Sequence, residues 1–470
     1  MTASRPPVAT PDTTVFPRIH TGIAAADEIL SGGFPANSIN IVMGQPGTGK
    51  TVFAEQLLFH NASGDRPLLY LTTLSEPMWK VVSYVQRFAF FDAAKMGSQV
   101  VYDDLGSVLV QRGPHALVEH VKEAIKTVSP QLIVIDSYRA IHDLSTTPGD
   151  MRRVIAALAG LLSAYETTTF LLGEYVQADI PHYPEFAVAD SIIELARNPL
   201  GSRDERYFRV LKLRGSSYKE GQHAFRITDA GLEIFPRLVT PAVPSDYRVS
   251  AVRVPSGVDG LDPIMGGGLW EGSTTLVLGP TGSGKTTMAL QFALEGVRRG
   301  EPTLFVNFQE NPSQLRRLVD QLGMEFDDAT RRGFHGLYSS PVELQIDSIV
   351  VEIFEMIRRQ EIRRVVMDAV GDLSSAASDP QRLHDYLYAL QQHFTVRGVT
   401  SMLTLESSAA LDMQRSHEQA LSYMADNVLS LSLPAGSPMA RNLRVIKSRS
   451  SPHEPGERTF EIGDRGVRLL

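Results

Sequence analysis

Two copies of one glycine-rich pattern constrain this chain more than any other feature. They are Gly44-Gln45-Pro46-Gly47-Thr48-Gly49-Lys50-Thr51 and Gly279-Pro280-Thr281-Gly282-Ser283-Gly284-Lys285-Thr286, the latter followed by Thr287. Glycines at these places let backbone N–H groups curl around phosphate oxygens, and the lysine reaches the β- and γ-phosphates. The hydroxyl of Thr51 or Thr286 then falls where a nucleotide's Mg²⁺ needs an oxygen. Ile39–Met43 and Thr275–Leu278 precede the loops as apolar runs of strand length, and Val52–His60 and Thr287–Arg299 follow them as helical runs. Strand, phosphate loop and helix, twice over, predict a duplicated nucleotide-binding machine.

The duplication reaches beyond the loops. Thr21-Gly22-Ile23 through Ser31-Gly32-Gly33-Phe34 returns as Ser256-Gly257-Val258 through Gly266-Gly267-Gly268-Leu269, and Lys50 and Lys285, like Lys212 and Lys447, stand 235 residues apart. That period is too long for a solenoid and fits tandem domains. We expect a loose tail over residues 1–14, a first domain over 15–238, a linker over 239–249 beside Pro236, Pro241 and Pro244, and a second domain over 250–470. Strand-like runs alternate with helical ones: Pro67–Thr72, Gln131–Ile135 and Thr168–Gly173 in the first copy, Thr303–Phe308, Arg364–Met367 and Val399–Leu405 in the second. Their near-continuous apolar character implies an α/β fold with a mostly parallel sheet between helices. Tyr207–Lys212 with Ala224–Ile227, and Leu443–Lys447 with Arg458–Ile462, alternate instead and predict appended antiparallel hairpins.

Composition narrows the function. With 43% hydrophobic residues, 470 residues suffice for two buried cores, and no apolar stretch is long enough to cross a bilayer. Met1-Thr2-Ala3-Ser4-Arg5-Pro6-Pro7 lacks the apolar core of a secretion signal, so the cytoplasm is the expected location. The absence of cysteine excludes disulfides and thiolate metal sites, and the 12 histidines show no ligand spacing, which leaves nucleotide-borne Mg²⁺ as the expected metal. A net charge of −8 argues against nonspecific nucleic-acid binding. Arg358-Arg359 and Arg363-Arg364, interleaved with Glu352, Glu355 and Glu361, read as a solvated helix end.

Leu132-Ile133-Val134-Ile135-Asp136 and Arg364-Val365-Val366-Met367-Asp368 each end an apolar strand in an aspartate, where a second acidic anchor for Mg²⁺ and its waters is needed. A group that orients water at the γ-phosphate is expected at the end of the strand after the loop helix: Tyr70 to Pro77 in one copy, Phe305 to Pro312 in the other.

At this point the chain resembles the circadian-clock KaiC family, double-domain relatives of the RecA-type recombinases. Lys212-Leu213-Arg214-Gly215-Ser216-Ser217-Tyr218, followed by Phe225-Arg226-Ile227-Thr228-Asp229-Ala230-Gly231-Leu232, is very similar to the end of a KaiC domain; Lys447-Ser448-Arg449 and Phe460 to Gly466 echo it. The resemblance implies two tandem RecA-like P-loop domains, ATP held between subunits of a homo-oligomeric, six-membered ring, and Lys212, Arg214, Lys447 and Arg449 reaching a neighbour's γ-phosphate. The family carries two adjacent glutamates before the proline after the second strand. Here Gln309 and Glu310 occupy those places in the second copy, and Leu74 and Ser75 in the first, with Glu76 adjacent. A first domain that binds ATP with slow turnover follows, with Glu310 the candidate base and Gln309 a water-orienting group in the second. The family's self-phosphorylated pair falls on Ser422 and Tyr423. The chain stops at Arg468-Leu469-Leu470, without the regulatory tail of the clock members, so control of that kind is not expected. The leading expectation is an ATP-hydrolysing switch acting on a signalling partner; the alternatives are a DNA-handling motor, which needs basic or aromatic channel loops that Tyr175–Phe186 and Ser407–Glu418 scarcely supply, and a non-catalytic scaffold glued by ATP.

Overall fold

The computed structural model describes residues 17–63, 66–74, 77–145, 147–200, 203–242, 250–376, 380–407, 423–433 and 441–470. The chain separates into two compact units, Met1–Arg237 and Leu238–Leu470. Each is an α/β domain built on one nine-stranded sheet.

The strands of the first unit are β1 (Ile39–Met43), β2 (Leu68–Thr72), β3 (Val100–Asp104), β4 (Leu132–Asp136), β5 (Thr168–Gly173), β6 (Ser191–Leu200), β7 (Arg203–Leu213), β8 (His223–Thr228) and β9 (Gly231–Phe235). Those of the second are β10 (Thr274–Gly279), β11 (Thr303–Asn307), β12 (Phe334–Tyr338), β13 (Arg364–Asp368), β14 (Thr400–Glu406), β15 (Asn427–Ser432), β16 (Arg441–Ser448), β17 (Glu457–Gly463) and β18 (Gly466–Leu469). Spatial order is the same in both: β3-β2-β4-β5-β1-β6-β7-β8-β9 and β12-β11-β13-β14-β10-β15-β16-β17-β18. Six strands are parallel and the last three antiparallel, so each sheet is mixed and mostly parallel with hairpins on one edge, the arrangement of tandem RecA-like domains.

Burial accounts for this layout. Every residue of β1, β2 and β5, and of β10, β11 and β13, is buried, because helices cover both faces of a parallel sheet. In the first unit one face packs Phe34, Phe53, Phe170 and Phe208 against the phosphate-loop helix, while the other packs Leu117, Val121, Val154 and Leu158. Among the described residues no helix is long and apolar enough to cross a membrane.

One reading needs correction. Arg358 and Arg359 are exposed at a helix end as expected, but Arg364 is fully buried at the start of β13. Its Nε donates to Glu301 Oε2 at 2.6 Å, its Nη1 to the carbonyls of Pro255 and Phe292 at 2.9 and 3.0 Å, and its guanidinium lies over the Phe292 ring. A charge that finds a carboxylate, two carbonyls and a ring face has replaced most of what water offered it.

Candidate nucleotide clefts

The chain leaves β1 and β10 through tight loops into the helices Lys50–Asn61 and Lys285–Arg298. Gly49 and Gly284 sit immediately before those helices at φ of 99° and 102°, where a side chain would be strained. A Cβ on Gly44 would come within 2.1 Å of the Leu195 carbonyl oxygen. The loops thus set backbone N–H groups and a helix N-terminus around one point, the arrangement that accepts phosphate. Lys50 Nζ donates to the carbonyls of Gly44 and Gln45 at 2.9 and 3.0 Å, and Lys285 Nζ to those of Gly279 and Pro280, both at 2.9 Å. Burial lowers the pKa of both lysines, opposed by Glu174 and Asp136 in the first domain and by Glu406 and Asp368 in the second. Pro46, Thr51, Val81, Asp136, Glu174 and Ile227 are among the residues around a first-domain cleft of about 410 Å³.

The strand-end aspartates face the loops. Thr51 Oγ1 donates to Asp136 Oδ2 at 2.8 Å. Asp368 accepts from Thr404 and from Thr286, while burial raises its pKa. A cis peptide bond follows each aspartate, at Asp136-Ser137 and Asp368-Ala369. A hydroxyl beside a carboxylate suits a hard cation that takes oxygen ligands and keeps water and phosphate oxygens of its own. No group of three or more acidic or histidine side chains able to hold a metal occurs among the described residues.

The two domains differ in sequence at the positions expected to orient water. Glu310, just beyond β11, is partly buried, and its pKa is raised first by burial and then by the charge of Asp368. Gln309 Nε2 donates to Asp372 Oδ2 at 3.0 Å. In the first domain Leu74, the counterpart of Gln309, is 39% exposed, and Ser75, the counterpart of Glu310, lies outside the described residues. Glu76 and Ser422 lie outside the described residues, and Tyr423 is exposed.

The basic pairs lie away from the clefts of their own domains. Ile192 pairs with Lys212 and Asn40 with Ser191, which places Lys212 and Arg214 at the opposite end of the sheet from the loop after Met43. Lys212 contacts the Phe186 carbonyl at 3.5 Å, and Arg214 contacts Asp190 at 3.4 Å. Lys447 and Arg449 hold the matching place, donating to the carbonyls of Ala425 and Tyr423 at 2.7 Å each. Burial lowers the pKa of Lys212 and Lys447, and Arg214 or Arg449 adds to the effect.

Sequence reasoning passed over Glu174 and Glu406, which follow or close β5 and β14 and face the phosphate loops; Thr281 Oγ1 donates to Glu406. The signal was present, since Leu171-Leu172-Gly173-Glu174 and Leu403-Thr404-Leu405-Glu406 repeat the apolar-run-then-acid pattern that identified Asp136 and Asp368. It also passed over Tyr70, whose hydroxyl donates to Asp136 Oδ2 at 2.6 Å and which reads in sequence as an ordinary strand aromatic.

Comparison with known proteins agrees with this geometry. The family model described as "ATPase: KaiC" matches residues 19–239 and again 254–470. The circadian clock oscillator protein KaiC of Picosynechococcus sp. is 29% identical over 96% of this chain and 89% of its own length. Its namesake from Rippkaea orientalis is 28% identical, and KaiC 1 of Synechocystis sp. 27%, each over 96% of this chain and 88% of the relative. Two phosphate loops, two strand-end aspartates and two matches to one model lead to a single statement: the chain belongs to the KaiC family of ATPases and is a double-domain, ATP-binding member of it.

Proposed function

We propose that the chain forms a nucleotide-bridged homo-oligomeric ring, six-membered as in the family resemblance, that hydrolyses ATP slowly in its second domain and holds ATP in its first. Glu310 carries this reading. A partly buried carboxyl whose pKa is raised by burial, beside Asp368 and one residue from the water-orienting amide of Gln309, is suited to take a proton from water. Mg²⁺, held by Thr286 and Asp368 along with the nucleotide, supplies charge neutralisation at the phosphates. Lys285 and the loop N–H groups bind and orient the γ-phosphate. Lys447 and Arg449, at the far end of the sheet from their own loop, reach the phosphate of an adjoining copy and act on it in trans. The first domain has the same loop, Thr51 and Asp136 but Leu74 and Ser75 in place of Gln309 and Glu310, which supports binding with little turnover and a structural role for that nucleotide, with Lys212 and Arg214 completing it in trans. A regulatory role follows from relatives named as clock oscillators, with a signalling protein as its recipient.

The test is complementation. Arg449→Ala chains and Lys285→Ala chains should each release little phosphate, and mixing them in ATP should restore a measurable fraction through sites that combine an intact loop with an intact finger. Failure of mixing to restore anything, in particles shown by light scattering to be mixed rings, removes the trans assignment. A monomer in saturating ATP removes the ring.

A further inference from the structure

The first domain carries a polar seam that the second lacks. Tyr70 on β2 donates to Asp136 Oδ2 at 2.6 Å, the same oxygen that accepts from Thr51 at 2.8 Å. Tyr70 pairs across the sheet with Tyr102 on β3, their rings 5.4 Å apart, and the Tyr102 hydroxyl donates to Glu55 Oε2 at 2.7 Å. Glu55 is a buried residue of the phosphate-loop helix, one turn after Thr51. At the repeat spacing of 235 residues the second domain has Leu290 for Glu55 and Phe305 for Tyr70, and Phe305 pairs with Gly336 where Tyr70 pairs with Tyr102. Three polar side chains placed together in an otherwise apolar core cost desolvation at each one, and such a set persists when its geometry is useful.

We propose that Tyr70 is a positioning residue for the first nucleotide cleft: its hydroxyl fixes the torsion of Asp136 so that the carboxylate is preset for the Mg²⁺ of bound ATP, with Tyr102 and Glu55 packed behind it. Outer hydrogen bonds of this kind orient a metal's carboxylate, and losing one typically costs about 10- to 100-fold in metal affinity. Two bonds converging on Oδ2 hold the group against rotation while the Thr51 hydroxyl keeps its oxygen toward the loop. The second domain anchors Asp368 differently, from Thr404 on the neighbouring strand.

The inference rests on reading the first cleft as an ATP–Mg²⁺ site, and the test separates the two. In the full chain with Lys285→Ala silencing the second cleft, binding of a fluorescent ATP analogue is measured in EDTA and across a Mg²⁺ titration. Tyr70→Phe should raise the Mg²⁺ concentration for half-maximal tightening about tenfold and leave affinity in EDTA unchanged. Tyr102→Phe, which does not touch Asp136, should shift it less than about threefold. In the Tyr70-intact chain Mg²⁺ should also perturb the near-ultraviolet tyrosine absorbance, a change absent from Tyr70→Phe. A Mg²⁺ effect that survives Tyr70→Phe unchanged, or an equal loss in EDTA, overturns the inference alone. No Mg²⁺ effect with Tyr70 intact overturns the underlying reading and the inference with it.

Discussion

In the first domain the carboxylate ending β4 is held by a tyrosine from β2, whereas in the second its counterpart ending β13 is held by a threonine from β14, on the other flank. The difference extends outward. The first domain buries a carboxyl, Glu55, in its phosphate-loop helix and has Leu74 and Ser75 in sequence where the second has Gln309 and Glu310; the second has Leu290 in the helix and a buried arginine, Arg364, at the start of β13 where the first has Leu132. Strand order, loop and helix are shared, and these side chains are not. Two copies of one scaffold thus share the phosphate-loop backbone and differ in the side chains placed around it.

The sharpest way to break this comparison is to remove each loop lysine in turn. Lys285→Ala should lower phosphate release by roughly 100-fold or more, since in the proposed mechanism the lysine contacts the transferring phosphate. Lys50→Ala should leave release within about threefold while abolishing binding at one of the two sites, counted by equilibrium dialysis with labelled ATP. Equal loss of release from both, in particles of unchanged size, would contradict the division of labour. Next in size is Glu310→Gln, which keeps shape and hydrogen bonding but removes the proton acceptor. A fall of roughly 100-fold in turnover with ATP affinity unchanged is expected, within the range for a general base.

Stability offers a third test, because each unit carries one tryptophan, Trp79 in the first and Trp270 in the second. With Trp79→Phe the remaining fluorescence reports the second unit. Glu301→Ala removes the carboxylate from Arg364, whose side chain is fully buried while that of Glu301 is 33% exposed. Two carbonyls still accept from the guanidinium, so the loss should be about 2 kcal/mol rather than the full penalty of an orphaned buried charge. Urea denaturation followed at Trp270 should show it. A midpoint unmoved by the substitution would mean that Arg364 is satisfied without its partner.

What the amino-acid pattern made legible, and what it did not, divides along the same physical lines. Strands β1, β10 and β13 were readable because both faces are covered and each carries an apolar run. The antiparallel hairpins were readable because one face is wet. The edge strands β3 and β12 escaped, since Val100-Val101-Tyr102-Asp103-Asp104 and Phe334-His335-Gly336-Leu337-Tyr338 are half-exposed and show neither signature. Both strand-end aspartates stood out as charges after apolar runs. Tyr70, Tyr102 and Glu55 did not, because a tyrosine suits any strand, a glutamate suits any helix, and only three-dimensional register brings residues 47 positions apart into one hydrogen bond. Arg364 was misread for the converse reason: among neighbouring charges it resembled a solvated residue, and its partner Glu301 is 63 positions away.

A further predicted effect concerns Glu55 and appears only as pH changes. Burial is the main reason its pKa is raised from 4.5 to about 8, with the Tyr102 hydrogen bond acting the other way and the charge of Asp136 adding to the rise. Below pH 4.5 the carboxyl is neutral in both folded and unfolded chains and ionisation exacts no cost. As pH climbs from 4.5 to about 8 the unfolded chain gives up this proton and the folded one keeps it, so stability falls by about 1.4 kcal/mol per pH unit from this group alone, levelling off above the folded value. Glu55→Gln keeps an acceptor for Tyr102 and has no proton to lose. With Trp270→Phe leaving Trp79 to report the first unit, urea midpoints for parent and Glu55→Gln should therefore diverge as pH rises through that window, the variant becoming the more stable. Parallel profiles would show that the folded domain lets Glu55 ionise at its ordinary pKa, with a compensating cation or water that the apolar packing around it gives no reason to expect. The second domain, with Leu290 in that place, supplies the control: its own unfolding, read at Trp270, should be indifferent to the substitution at every pH.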